Sequence, residues 1–147
     1  MDFKITDKRT LSLIGIKRSF NSDNSYEEIP KFWDELMKTD DWTNGVLKGK
    51  YGLCFEENGK NFSYMIADDY DSQKTYPKNY EKVELPANLY ASFPCKGKIP
   101  EALQSINTKI WSDWVPNCKE YKLNGNYCLE VYLKPDYAEI IIPVIKI

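Results

Sequence analysis

Residues Tyr127–Leu133 read Tyr-Cys-Leu-Glu-Val-Tyr-Leu. Valine and tyrosine favour extended backbone, and the only residue here that is neither apolar nor aromatic is Glu130, so the stretch predicts a strand. Successive side chains on a strand alternate. Cys128, Glu130 and Tyr132 therefore share one face, and Tyr127, Leu129, Val131 and Leu133 the other. The second face reads as core. The first carries a carboxylate between a thiol and a phenol, which is costly if buried without a partner. It becomes useful when the partner is a ligand bearing positive charge. The competing reading is a plain surface glutamate, the usual fate of a charged residue.

Outward from this strand, Lys134-Pro135-Asp136 predicts a turn, and Ile140–Ile147 a closing strand. Pro143 within it points to an edge or a bulge. On the other side, Asn117–Asn126 reads as a loop or short strand with a turn at Asn124-Gly125. Before that, Ile99, Leu103, Ile106, Ile110 and Trp114 keep one face of a helix that Pro116 ends. Tyr80–Phe93 reads as extended, broken at Pro86.

The first half repeats this order. The run through Leu11, Leu13, Ile14 and Ile16 predicts a buried strand. Ile29, Phe32, Trp33, Leu36 and Met37 form the apolar face of a helix, with Pro30 expected in its first turn. Ser25 and Glu28 have the spacing of a capping box. Asp40–Gly49 reads as a loop. Asn58-Gly59 between two alternating runs, Lys50–Glu57 and Lys60–Asp68, signals a hairpin whose two turn residues take positive φ. The chain thus reads strand–helix–strand–strand twice, with Ile29-Pro30 and Ile99-Pro100 offset by 70 residues. The expected fold is α+β: two modules, about 1–75 and 76–147, sharing one antiparallel sheet with both helices on one side. A groove at their junction is a natural ligand site.

Composition narrows the chemistry. The 147 residues suit one domain. There is no histidine, which removes Ser-His and Cys-His nucleophilic pairs and the common zinc sites. Neither a cofactor nor a metal is expected. The acidic pairs Asp40-Asp41 and Asp68-Asp69 read as solvated turns. Net charge is −2 with no basic stripe, so direct nucleic-acid binding is not expected. No signal peptide or membrane-length apolar run is read, and the four cysteines read as reduced thiols, so the expected location is cytoplasmic. The aromatic fraction of 14% is high enough to line a pocket for flat ligands as well as to fill a core.

The duplicated order, the Leu-Glu-Val-Tyr-Leu strand around Glu130 and the Ile-Ile-Ile-Pro-Val run at 140–144 resemble the GyrI-like effector-binding domain. That domain is the ligand sensor of AraC- and MerR-type transcription activators and also occurs alone. The resemblance implies a pocket between the modules for bulky, aromatic, cationic molecules, with Glu130 inside it. It implies a drug or metabolite sensor or a sequestering protein. Tyr132, Trp33, Tyr51, Trp111 and Trp114 are the candidate aromatics around Glu130. The family's helix-turn-helix module is not recognised in this sequence, so a regulatory role would need a separate partner. Two alternatives follow from the same resemblance. One is a hydrolase of cyclopropane-bearing electrophiles, using Glu130 with a tyrosine. The other is a gyrase-inhibitor-like module that binds a protein partner.

Overall fold

A computed structural model describes residues 1–147. In chain order the elements are β1 Lys4–Lys8, β2 Leu11–Asn21, α1 Ser25–Met37, a short α2 Asp40–Thr43, β3 Tyr51–Asn58 and β4 Asn61–Asp69. There follow β5 Glu81–Leu85, β6 Asn88–Lys96, α3 Glu101–Lys109, β7 Tyr121–Leu123, β8 Cys128–Lys134 and β9 Tyr137–Lys146. Helical backbone continues past α3 through a π-helical turn, Ile110–Trp114, to Asn117. All strands join one antiparallel sheet in the order β1-β6-β9-β8-β3-β4-β2-β5, with β7 also beside β9.

The duplication is legible in this order. One module contributes β6-β9-β8 and the other β3-β4-β2, so the two meet at the β8–β3 pair. Each module's leading strand is exchanged: β1 pairs with β6, and β5 pairs with β2. Lys4 to Glu81 and Leu11 to Asn88, the starts of equivalent strands, are each 77 residues apart. The 70-residue offset of the two Ile-Pro pairs is therefore not the structural repeat. Pro30 lies at the sixth position of α1, whereas Pro100 immediately precedes α3.

The exchange also curls the sheet. Only Arg9 and Thr10 separate β1, at one end of the order, from β2 near the other end. Three Cα–Cα steps reach roughly 11 Å, so the two ends must lie close together. Pro86 and Ala87 impose the same closure between β5 and β6. Leu13, Leu53, Met65, Leu85, Tyr90, Leu129 and Ile141, from strands across the whole order, meet in one buried cluster inside the curl.

Both helices pack on the other face. α1 sets Phe32 and Leu36 on Ile14, Tyr64 and Ile66. α3 and its continuation set Leu103, Ile110 and Trp114 on Phe93, Ile140 and Ile142. Each helix thus has its own core, one per module, and the space between them lies over the β3–β8 junction.

Several local expectations are corrected. α1 begins at Ser25, its cap residue Asn24 makes no side-chain cap bond, and Pro30 is interior, so the Ser25–Glu28 capping box is not formed. Asp40–Thr43 is helical, because the Thr39 hydroxyl accepts from the Trp42 amide and caps a short turn. The hairpin turn falls one residue later than Asn58-Gly59: Asn58 pairs with Asn61, Gly59 takes φ 62°, and a bulge holding Glu56 at φ 55° absorbs the shift. Pro143 lies in a central strand. On one side of β9, β8 pairs only as far as Ile141 and β7 only from Val144, so Pro143 falls between the two partners.

Candidate functional site

The junction strands β3 and β8 place Gly52 directly opposite Glu130. Glu130 is 8% exposed and makes no ion pair. Instead the Tyr64 hydroxyl donates to its Oε1 at 2.5 Å and the Tyr132 hydroxyl at 2.6 Å. Trp33 Nε1 donates in turn to the Tyr64 hydroxyl at 3.0 Å. Both phenols hold the same oxygen, and Oε2 has no protein partner.

The electrostatics follow from that geometry. Burial pushes the Glu130 carboxyl above its ordinary value, and the two phenol bonds, which favour the charged form, offset part of this. Burial and the nearby carboxylate push the Tyr64 and Tyr132 hydroxyls well up. The same causes raise the Cys54 and Cys128 thiols, and Cys95 to about 12. Around Glu130, then, every other buried titratable group is held neutral at neutral pH.

Glu130 lies in the wall of a cavity of about 710 Å³ between α1 and α3. Tyr26, Ile29, Trp33 and Met37 of α1 form one wall at helical spacing, with Pro30 among them. Leu103, Gln104 and Asn107 of α3 form the facing wall, and Cys54, Glu130 and Tyr132 the floor. The Trp33 ring meets Tyr132 edge-on, with centroids 4.9 Å apart, and Trp42 edge-on at 6.4 Å. Gly49, at φ 72°, seats these rings: a Cβ there would lie 2.6 Å from Trp33 and 2.8 Å from Trp42.

Of the sequence candidates, Glu130, Tyr132 and Trp33 converge on the cavity, and Tyr51, Trp111 and Trp114 lie away from it. Tyr51 neighbours Gly52 on β3 and so faces the inside of the curl, its hydroxyl donating to Asp69 at 2.8 Å. Trp114 is core, packed edge-on against Phe93 at 5.0 Å and Phe3 at 5.2 Å. Trp111 is 44% exposed and donates to Asn107 Oδ1 at 3.1 Å. Leu133, assigned to the core face, lines the cavity instead, because a register shift between Tyr132 and Lys134 turns it over. The sequence reading missed Tyr64, Trp42 and Tyr26. Two of these carried a signal: Tyr26 stands three and seven residues before Ile29 and Trp33, on their side of the helix, and Tyr64 alternates with Phe62 and Ile66 on one strand face, although the β3–β8 register was needed to bring that face to Glu130.

Residues 4–144 match the model of Cass2, the integron-associated effector binding proteins. The chain belongs to this family. Solved structures agree on the fold. SAV2435, determined bound to tetraphenylphosphonium, superposes with a TM-score of 0.81 at 22% identity, over 99% of this chain and 94% of that one. The Vibrio cholerae integron cassette protein VCH_CASS2 gives 0.77 at 18% identity, over 97% and 95%. EcmrR, in its complex with DNA, gives 0.57 at 19% identity, over 99% of this chain and 58% of that one. A comparison with curated protein sequences found no match. As a Cass2-family member the chain is an effector-binding domain with the GyrI-like fold expected from its sequence. No helix is long and apolar enough to cross a membrane.

Proposed function

We propose that this Cass2-family domain binds bulky, aromatic monocations in the cavity between α1 and α3, as a sensor or a sequestering protein. One observation carries the reading. Glu130 is a buried carboxylate whose protein partners are neutral phenols, and its second oxygen is left free in the wall of a cavity lined by aromatic rings. A cationic guest completes that arrangement. Its charge offsets the carboxylate where water is excluded, and its rings meet Trp33 and Tyr132. A cation over an aromatic face contributes about 0.5–2 kcal/mol. The cavity volume falls in the range of small-molecule sites. SAV2435, the relative of similar fold, was determined with such a cation bound. With few directional contacts, selection rests on charge, shape and size.

The test compares a cationic and a neutral dye of similar shape in fluorescence titrations of the parent and Glu130→Gln. The expected result is a loss of roughly tenfold or more for the cation, since a buried charge partner is removed, with a much smaller change for the neutral dye. Equal losses for both dyes would remove Glu130 from the site.

A further inference from the structure

α1 and α3 face each other across the cavity, yet each is anchored in a separate core cluster. The hydrogen bonds between them all run through one residue, Tyr26, at the N-terminal end of α1. Its hydroxyl meets Asn107 Nδ2 at 3.0 Å, Thr108 Oγ1 at 3.1 Å and the Gln104 carbonyl at 3.3 Å. The bonding capacity is consistent: the hydroxyl accepts from the Asn107 amide and donates its one proton to Thr108 or to the carbonyl. No ion pair joins the two helices.

The fourth bond explains an oddity of α1. An interior proline lacks the N–H that would bond the carbonyl four residues earlier. For Pro30 that carbonyl belongs to Tyr26, and Gln104 Nε2 donates to it at 2.9 Å. The proline therefore frees a backbone acceptor, and the opposite helix fills it. Tyr26, Pro30, Gln104 and Asn107 all line the cavity, so the bridge and the ligand space share their walls.

We infer that Tyr26, bonded to Gln104, Asn107 and Thr108, is a specificity-determining clamp that sets how wide a cation the cleft admits. The inference rests on the function proposed above. A slim cation fits with the bridge closed. A tetrahedral cation that reaches from the floor at Glu130 toward both helices presses them apart and works against the bridge. Apart from this bridge, no ion pair and no shared core cluster ties the two helices to each other.

The experiment uses two monocations, tetraphenylphosphonium and the slimmer phenyltrimethylammonium, titrated calorimetrically into the parent, Tyr26→Phe and Gln104→Ala. Tyr26→Phe keeps the ring and removes the hydroxyl, and Gln104→Ala removes the amide from the opposite side. Thermal unfolding and circular dichroism establish that each variant is folded. The expected result, in both variants, is a shift of the affinity ratio toward tetraphenylphosphonium by roughly fivefold, the worth of a lost hydrogen bond. A ratio that stays at the parent value, or moves toward the slim cation, overturns the clamp. If the parent binds neither cation, the reading of the cavity falls and the clamp with it. If the parent binds both and the ratio is unmoved, only the clamp falls.

Discussion

Gly52 and Glu130 face each other across the strand pair that joins the two halves of the molecule, and the carboxylate occupies the space a side chain at 52 would need. A Cβ on Gly52 would overlap both Glu130 Oε1 and the Tyr64 hydroxyl. Here the glycine is required by close approach, with no special backbone angle involved. It makes room for the hydrogen bond that holds the acid at the cavity floor.

Gly52→Ala should therefore damage fold and site together. Overpacking a filled core costs about 1–3 kcal/mol, and the upper end is expected because both clashing groups are buried. Urea unfolding would show the loss. Cation affinity should fall as Glu130 is displaced. An alanine variant with parental stability would show that the junction yields easily, contrary to this account.

The pH dependence has a definite sign. Glu130 is harder to ionise in the fold than in the unfolded chain, whose value is near 4.5. Its contribution to stability is therefore most favourable below that value, declines as pH rises through the folded pKa, and is constant above it. Glu130→Gln does not titrate. The variant's stability relative to the parent should rise with pH across this window and then level off. Cation affinity should rise over the same window in the parent and stay flat in the variant. Denaturant melts and titrations at a series of pH values would check both.

Tyr64→Phe removes one of the two bonds to Glu130 and leaves Trp33 Nε1 without its acceptor. A loss of about 1–3 kcal/mol is expected for leaving buried polar groups unpaired. With one phenol fewer favouring the charged form, the midpoint of the cation-binding pH profile should move to higher pH. A midpoint unchanged or lowered would mean that the Tyr64 bond does not hold the carboxylate in its ionised form.

The tryptophans should separate by position. Trp33→Ala removes a ring from the cavity wall and should weaken an aromatic cation by about 0.5–2 kcal/mol. Trp111→Ala removes an exposed indole outside the cavity, whose link to it is the bond to Asn107, and should weaken that affinity less than Trp33→Ala does. Trp114→Ala empties a buried site against Phe93 and should cost about 3–5 kcal/mol of stability. Binding titrations with unfolding curves on the three variants would sort them. Equal effects of Trp33 and Trp111 on affinity would contradict the cavity assignment.

Much of this was legible locally. The alternation around Glu130 put it on the face away from Leu129 and Val131, and the structure keeps that parity. The apolar face of α1 through Ile29, Phe32, Trp33, Leu36 and Met37 is divided in the structure: Phe32 and Leu36 pack into the core, and Ile29, Trp33 and Met37 line the cavity. The failures were also local in form. Pro30 looked like a first-turn proline because the Gln104 amide that accommodates it comes from 74 residues further along the chain, 30 to 104. The 70-residue offset matched two Ile-Pro pairs that occupy different places in their helices.

The sequence by itself determined the duplicated α+β order, the strand parity that keeps Glu130 off the apolar face, and the absence of histidine chemistry. These are properties of neighbouring residues, set by the two-residue pleat and the helical turn. Only the tertiary structure decided that Tyr64, rather than Tyr51, reaches the acid, and that Tyr26 ties the two helices. Those pairings depend on which strands lie side by side and in what register. A register is set by burial summed over the whole sheet, so no single stretch of chain contains it.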